Sequence, residues 1–155
     1  MKPRIGIVLG DPGGIGPELI ARVLADEELS SQAQILIIGD SFLLRDGEQI
    51  AGVQCPVSVV NSVADIALND DRPVLLESNT VEQDAVRRGE ALAVGGQSVL
   101  TALGIALDLH KAGVIDAIMF APLNKQAMQA KRFIQCLSMK VKDKKRAIPI
   151  SEIAL

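Results

Sequence analysis

The apolar run Arg4-Ile5-Gly6-Ile7-Val8-Leu9 passes directly into Gly10-Asp11-Pro12-Gly13-Gly14-Ile15-Gly16 and then into Pro17-Glu18. Apolar residues that do not alternate with polar ones fit a strand buried on both faces, as in parallel sheets. Proline in the first turn, followed by an acid near the positive helix end, opens a helix. A buried strand, a glycine loop and a helix in that order commit the chain to an α/β fold. They also place the loop at the carboxyl edge of the sheet, where ligands bind in such folds.

The rest of the sequence extends this pattern. After the strand at 4–9 and a helix over 17–24, further strands are expected at 34–38, 57–60, 74–76 and 117–120. Gly95-Gly96 reads as a break, followed by a helix over 97–112. Val99, Leu100, Leu103, Ala106, Leu107 and His110 recur there at three- and four-residue steps, giving one face. His110 and Lys111 fall in its last turn, and Gly113 is placed to cap it. A further helix can begin over 125–130. The expected fold class is α/β with a largely parallel sheet.

The chain has 155 residues, one domain by length. Apolar residues make up 48% and charged residues 23%, which excludes wholesale disorder. Aromatics are 2%, with no Trp or Tyr, so stacking platforms for single-stranded nucleic acid are not expected. No apolar run approaches the ~18 residues of a membrane span, and the amino-terminal run is too short for a signal-peptide core. The expected location is cytoplasmic, with no membrane and no nucleic-acid partner. The single histidine, His110, excludes a metal site of several imidazoles unless another chain supplies them. Cys55 and Cys136 make no disulfide framework and fit a reducing compartment. Charge changes near position 130. Residues 131–155 carry seven basic and two acidic residues, +5, so the −3 of the whole chain leaves −8 on residues 1–130.

The Gly10–Gly16 loop can bring its backbone close to an anionic group, with free N–H donors at the following helix start. It is not a Walker loop, because no Gly-Lys-Ser/Thr follows, and it lacks the third glycine of the dinucleotide fingerprint. A ligand loop and a tight structural turn both remain open. Asp11 and Glu18 are candidate ligand contacts, or simply caps. Asn124 and Lys125 follow a strand and should lie at the same sheet edge, where Lys125 could hold a phosphate or carboxylate as a point charge. The plain alternative is a solvated lysine at a helix start, where the macrodipole disfavours it. His110 is expected as a helix-end residue and Cys55 as a small buried apolar one. For Cys136, beside basic residues, no partner base is evident. Asp26-Glu27-Glu28 and Asp70-Asp71 read as solvated surface, as does the basic run over 140–146.

Gly10–Glu18 resembles the Gly-Asp-Pro-x-Gly-Ile-Gly-Pro-Glu signature of the 4-hydroxythreonine-4-phosphate dehydrogenase family. Asp116-Ala-Ile-Met-Phe-Ala121-Pro122-Leu-Asn124-Lys125 is similar to that family's Asp-Ala-x-x-x-Ala-Pro-x-Asn-Lys element. Both motifs occur in order, and the likeness covers residues 1–130. It implies part of an isocitrate/isopropylmalate-dehydrogenase-like fold and a homodimer. The implied activity is NAD- or NADP-dependent oxidation, with decarboxylation, of a small phosphorylated hydroxy acid in pyridoxal phosphate synthesis. A divalent metal (Zn, Mg or Co) is implied too, as the Lewis acid that polarises the reacting oxygen. The substrate- or phosphate-binding residues implied are Asp11, Gly14, Gly16, Glu18, Asn124 and Lys125. Relatives that oxidise sugar-acid phosphates or dihydrodiol dicarboxylates share the second motif, and a non-catalytic anion-binding fragment is a further reading.

The chain departs from the family after Lys125. No Gly-His-Thr-Glu substrate motif follows, and the family's metal-ligand histidines have no counterpart, so no catalytic or metal-binding residue is assigned. Residues 131–155 read as non-family sequence, from a frameshift or an early stop, with a naturally short form as the alternative. The expectation is a chain without turnover of its own, whose strands 5–9, 34–38 and 117–120 are left as open edges prone to association.

Overall fold

The computed structural model describes residues 2–69 and 72–129. Five strands, β1 (Arg4–Val8), β2 (Gln34–Gly39), β3 (Ser58–Val60), β4 (Val74–Glu77) and β5 (Ala117–Phe120), form one sheet in the order β3-β4-β2-β1-β5. Every pairing is parallel. The helices are α1 (Gly16–Ala25), α2 (Glu27–Ser30), α3 (Ser41–Ala51), α4 (Ala93–Lys111) and α5 (Lys125–Gln129).

Side chains of a strand alternate between faces, so the register sorts the core into two layers. Ile7, Ile37 and Leu75 lie in one row across β1, β2 and β4. They pack with Ile20, Ala21 and Leu24 of α1 and Leu43 and Leu44 of α3. Val8, Ile38 and Leu76 form the next row, on the opposite face. They pack with Ala102, Ala106 and Leu109 of α4. The central strand β2 is buried on both faces over Ile35, Leu36, Ile37 and Ile38, which explains its unbroken apolar spelling.

The structure corrects three expectations. Helix α4 starts at Ala93, so Gly95-Gly96 lies inside its first turn and breaks nothing. A side chain at Gly96 would strike the backbone of Ala127, so the glycine serves a close helix crossing. The buried stripe of α4 is Val99, Ala102, Ala106 and Leu109, while His110 is exposed and Leu107 only half-buried. Finally, β1 and β2 are interior strands, and the edges among the described residues are β3 and β5. Met119 of β5 and Val59 of β3 are each more than two-fifths exposed.

Helix α3 has no counterpart among the elements expected from the sequence. Its signal is short: Leu43, Leu44 and Gly47 are its buried positions, and Gly52 ends it in the left-handed conformation (φ +67). Asp26, Glu27 and Glu28 are exposed as expected, although Glu27–Ser30 closes into the one-turn α2. Asp70, Asp71, Cys136 and the whole of 131–155 lie outside the described residues.

The order of connection positions the site. From β1 the chain passes to β2 on one side, and much later to β5 on the other. Helix α1 leaves β1 over one face, and α4 packs on the opposite face ahead of β5. The carboxyl ends of β1 and β5 therefore flank the topological switch point, where α/β sheets open a crevice.

Candidate functional site

The two motif loops meet at that point. The Asp11 N–H donates to the Pro122 carbonyl at 3.2 Å, and the Ala121 N–H to the Val8 carbonyl at 3.0 Å. The approach is close enough to require a glycine. Gly10 has φ +82, and a Cβ there would lie 2.8 Å from the Pro122 oxygen. At Gly16 a Cβ would strike the Leu9 carbonyl, so α1 could not start so near its strand. Gly14 is different. A Cβ there would meet nothing closer than Asp11, at 3.4 Å, so packing does not demand its glycine.

Asp11 is 6% exposed. Its Oδ1 accepts from the Gly13 N–H at 3.0 Å, while its carbonyl accepts from the Gly14 N–H at 3.0 Å, which folds the loop into a tight turn. Gly95, in the first turn of α4, brings that helix end against the carboxylate. A negative charge is favoured there by the helix dipole.

Asn124 closes the second loop as a cap: its Oδ1 accepts from the Ala127 N–H of α5 at 3.1 Å. Lys125 is the exposed first residue of α5. The structure thus brings Asp11, Gly14 and Gly16 to one sheet edge with Asn124 and Lys125. Glu18 takes a different course, pairing with Arg22 one turn along α1 at 3.0 Å. Asp116, which opens the second motif, lies at the opposite end of β5. There it takes the Arg4 guanidinium on both oxygens, at 2.6 and 3.1 Å, and the Arg4 N–H at 2.9 Å. These bonds hold its carboxyl at about 2, below the ordinary carboxylate range. Its role is to fasten strands together, away from the loops.

Two residues read as structural are placed so. His110 Nδ1 lies 3.2 Å from the Ile115 carbonyl, at the end of α4. Cys55 is buried and its Sγ donates to the Ala21 carbonyl at 3.1 Å. Burial, with the Glu48 carboxylate beside it, pushes its thiol up to about 11.

Sequence reasoning missed Asp40. It follows Gly39 at the end of β2, repeating the strand-Gly-Asp spelling of Leu9-Gly10-Asp11, and is 2% exposed. Its Oδ1 accepts from the Ser78 hydroxyl at 2.8 Å and the Thr80 N–H at 3.0 Å. Its Oδ2 accepts from the Thr80 hydroxyl at 2.8 Å and the Val81 N–H at 3.1 Å. Thr80 in turn lies 2.7 Å from the Ser98 hydroxyl of α4. A small open cleft lies between the glycine loop and the segment 81–95, lined by Asp11, Gly13, Val81, Arg87, Glu90 and Gly95 among others.

The described residues do not by themselves form the metal site that the motifs imply. No three His, Cys, Asp or Glu side chains among them converge as a metal would require. Among the described residues no helix is long and apolar enough to cross a membrane.

The family model described as "Pyridoxal phosphate biosynthetic protein PdxA" matches residues 31–138. The chain belongs to the PdxA family. Among its PdxA relatives, a Pseudomonas aeruginosa protein named "Putative 4-hydroxythreonine-4-phosphate dehydrogenase 2" is 44% identical over 126 residues. That match covers 81% of this chain and 37% of the relative. An Oceanobacillus iheyensis protein named "Putative D-threonate 4-phosphate dehydrogenase" is 36% identical, covering 83% of this chain and 39% of its own length. In structure, the chain is similar to a 4-hydroxythreonine-4-phosphate dehydrogenase from Burkholderia phymatum. The TM-score is 0.75 at 29% identity, covering 84% of this chain and 39% of that one. The chain thus spans less than two-fifths of the length of these PdxA relatives, and its fold is the isocitrate-dehydrogenase-like α/β fold of their shared portion.

Proposed function

We propose that this chain supplies one wall of a site for a 4-phosphorylated hydroxy acid, within a dehydrogenase that oxidises it with NAD or NADP. The observation behind this reading is the Asp11–Pro122 hydrogen bond, which sets the glycine loop beside Asn124 and Lys125. The start of α1 has no side-chain cap, because its N-cap residue, Ile15, offers no oxygen. Its first N–H groups and the Lys125 ammonium are the complement of an anionic substrate end. Gly14 lets that anion approach the backbone. Asn124 holds the lysine's helix in place, and Asp11 holds the loop. Glu18 acts at one remove, by pairing with Arg22 on the same helix.

Binding of the metal and the nicotinamide, and the homodimer that the motifs imply, are assigned to the length of the PdxA relatives that this chain does not span. Residues 1–130 are read as the dehydrogenase-like portion and 131–155 as a segment largely outside it, although the family match runs on to residue 138. The substrate class of this reading is what the relatives' names share, a phosphate with a neighbouring hydroxyl.

The test is calorimetric titration with 4-hydroxythreonine-4-phosphate and, separately, D-threonate 4-phosphate. Saturable binding that weakens ~10-fold or more in Lys125→Ala is expected for a charge-assisted contact. No heat at millimolar ligand would overturn the reading, and the tighter ligand of the two identifies the substrate branch.

A further inference from the structure

Removing a carboxylate from water is costly unless hydrogen-bond donors surround it. Asp40 has such donors, and they come from one short segment. Ser78, Thr80 and Val81 bend around it, with Asn79 between them at φ +48, the left-handed conformation that asparagine tolerates better than most residues. The chain then makes a 3-10 turn over Gln83–Ala85 and passes Arg87 and Glu90, which line the cleft. It is pinned again where the Gly89 N–H donates to the Gly13 carbonyl at 2.8 Å. The wall of the cleft is therefore tied at two points: to Asp40 at its start and to the glycine loop at its end. Through Thr80 and Ser98 the same carboxylate fastens the first turns of α4, which present Gly95 to Asp11.

We propose that Asp40 is a positioning residue for the cleft: by holding the 78–81 turn it sets where residues 81–90 stand relative to the Gly13 loop. The link to substrate rests on the function proposed above; the link to the wall does not.

Two measurements on the whole chain separate these. The first needs no ligand: amide hydrogen exchange and amide chemical shifts in Asp40→Asn. An asparagine keeps one acceptor oxygen but turns an amino group toward the donors. Exchange at Val81 and Gly89 should rise roughly tenfold or more, with shifts reaching Gly13, while Leu36 to Ile38 of β2 stay protected. Changes confined to 78–81 would overturn the proposal, because the turn would then not govern the wall. The second measurement is the affinity for 4-hydroxythreonine-4-phosphate, expected to fall about fivefold or more in the variant. Leu109→Ala, a core change remote from the cleft, should lower stability and leave that affinity unchanged. If the wild-type chain binds no ligand, the substrate reading falls while the exchange result still decides the role of Asp40. If Asp40→Asn does not fold, Thr80→Val, which removes one hydroxyl from the network, is read by the same two criteria.

Discussion

Arg4 and Asp116 clasp each other at the amino ends of β1 and β5, 112 positions apart in sequence. The guanidinium spans both carboxylate oxygens, and the Asp116 N–H returns a bond to the Arg4 carbonyl at 2.7 Å. The pair fixes the register that, at the other end of the same two strands, brings Gly10 against Pro122.

Stability should fall in acid through this pair. Asp116 is held at about 2, below the ~4 of a free aspartate, so it binds fewer protons folded than unfolded. Its contribution is complete above pH ~4 and is lost as pH drops toward 2. Urea midpoints measured from pH 6 to pH 2.5 should decline in the wild type and decline less in Asp116→Asn. Equal slopes in the two proteins would remove the pair from the acid response.

Two glycines of α4 should respond to alanine with opposite signs. Gly104 has no atom within 4 Å of an added Cβ, so Gly104→Ala should stabilise by ~0.5–1 kcal/mol through helix propensity. Gly96→Ala drives a methyl into the Ala127 backbone and should cost ~1–3 kcal/mol. Denaturant titration gives both signs. The amides of 124–129 should shift in the second variant alone, since α5 is the element displaced.

Asn124→Ala should cost ~0.5–2 kcal/mol, the usual loss for an N-cap. Its effect on affinity for 4-hydroxythreonine-4-phosphate should exceed what that small destabilisation of a folded chain explains, because Lys125 loses its fixed helix start. Unchanged affinity with a lower unfolding midpoint would make Asn124 a cap and nothing more.

Cys55 should resist alkylation. With its thiol near 11, about one molecule in a thousand is thiolate at pH 8, and the sulfur is buried. Peptide mapping after iodoacetamide treatment should find it unmodified in the native chain and fully modified in denaturant. Rapid labelling of native protein would mean that the α1 side of the core opens readily.

This chain alone should show no turnover in an NADH assay with Mg²⁺, Mn²⁺ or Zn²⁺. Its described residues offer no converging metal ligands to stabilise a developing oxyanion, and losing one such stabilising donor can cost ~10²–10³ in rate. Saturable NADH production would refute this.

The sheet is legible in the sequence because burial on both faces removes polar residues from the strands, as in Ile35 to Ile38. The glycine loop is legible because close backbone approach leaves few other residues possible at Gly10 and Gly16. Helix α3 is hard to see because its apolar face is narrow, with only Leu43, Leu44 and Gly47 buried. Gly95-Gly96 misleads for a related reason. In sequence a glycine pair breaks helices, whereas here α5 and the Asp11 carboxylate need the room. Asp40 is invisible because its partners, Ser78, Thr80 and Val81, lie far along the chain, and ordinary polar residues in a loop announce no shared acceptor.

The parallel pairing of β1 with β5 also sets a timetable for synthesis. Strand β1 is made more than a hundred residues ahead of one of its two neighbours, which follows only from residue 117. At ~5–20 residues per second, β1 waits on the order of 5–20 s with that side unpaired. A nascent chain stalled before β5 would have the glycine loop without the carbonyl of Pro122 that holds it. Arrest sequences placed on either side of residues 117–122 should therefore separate an open, chaperone-bound intermediate from a closed one.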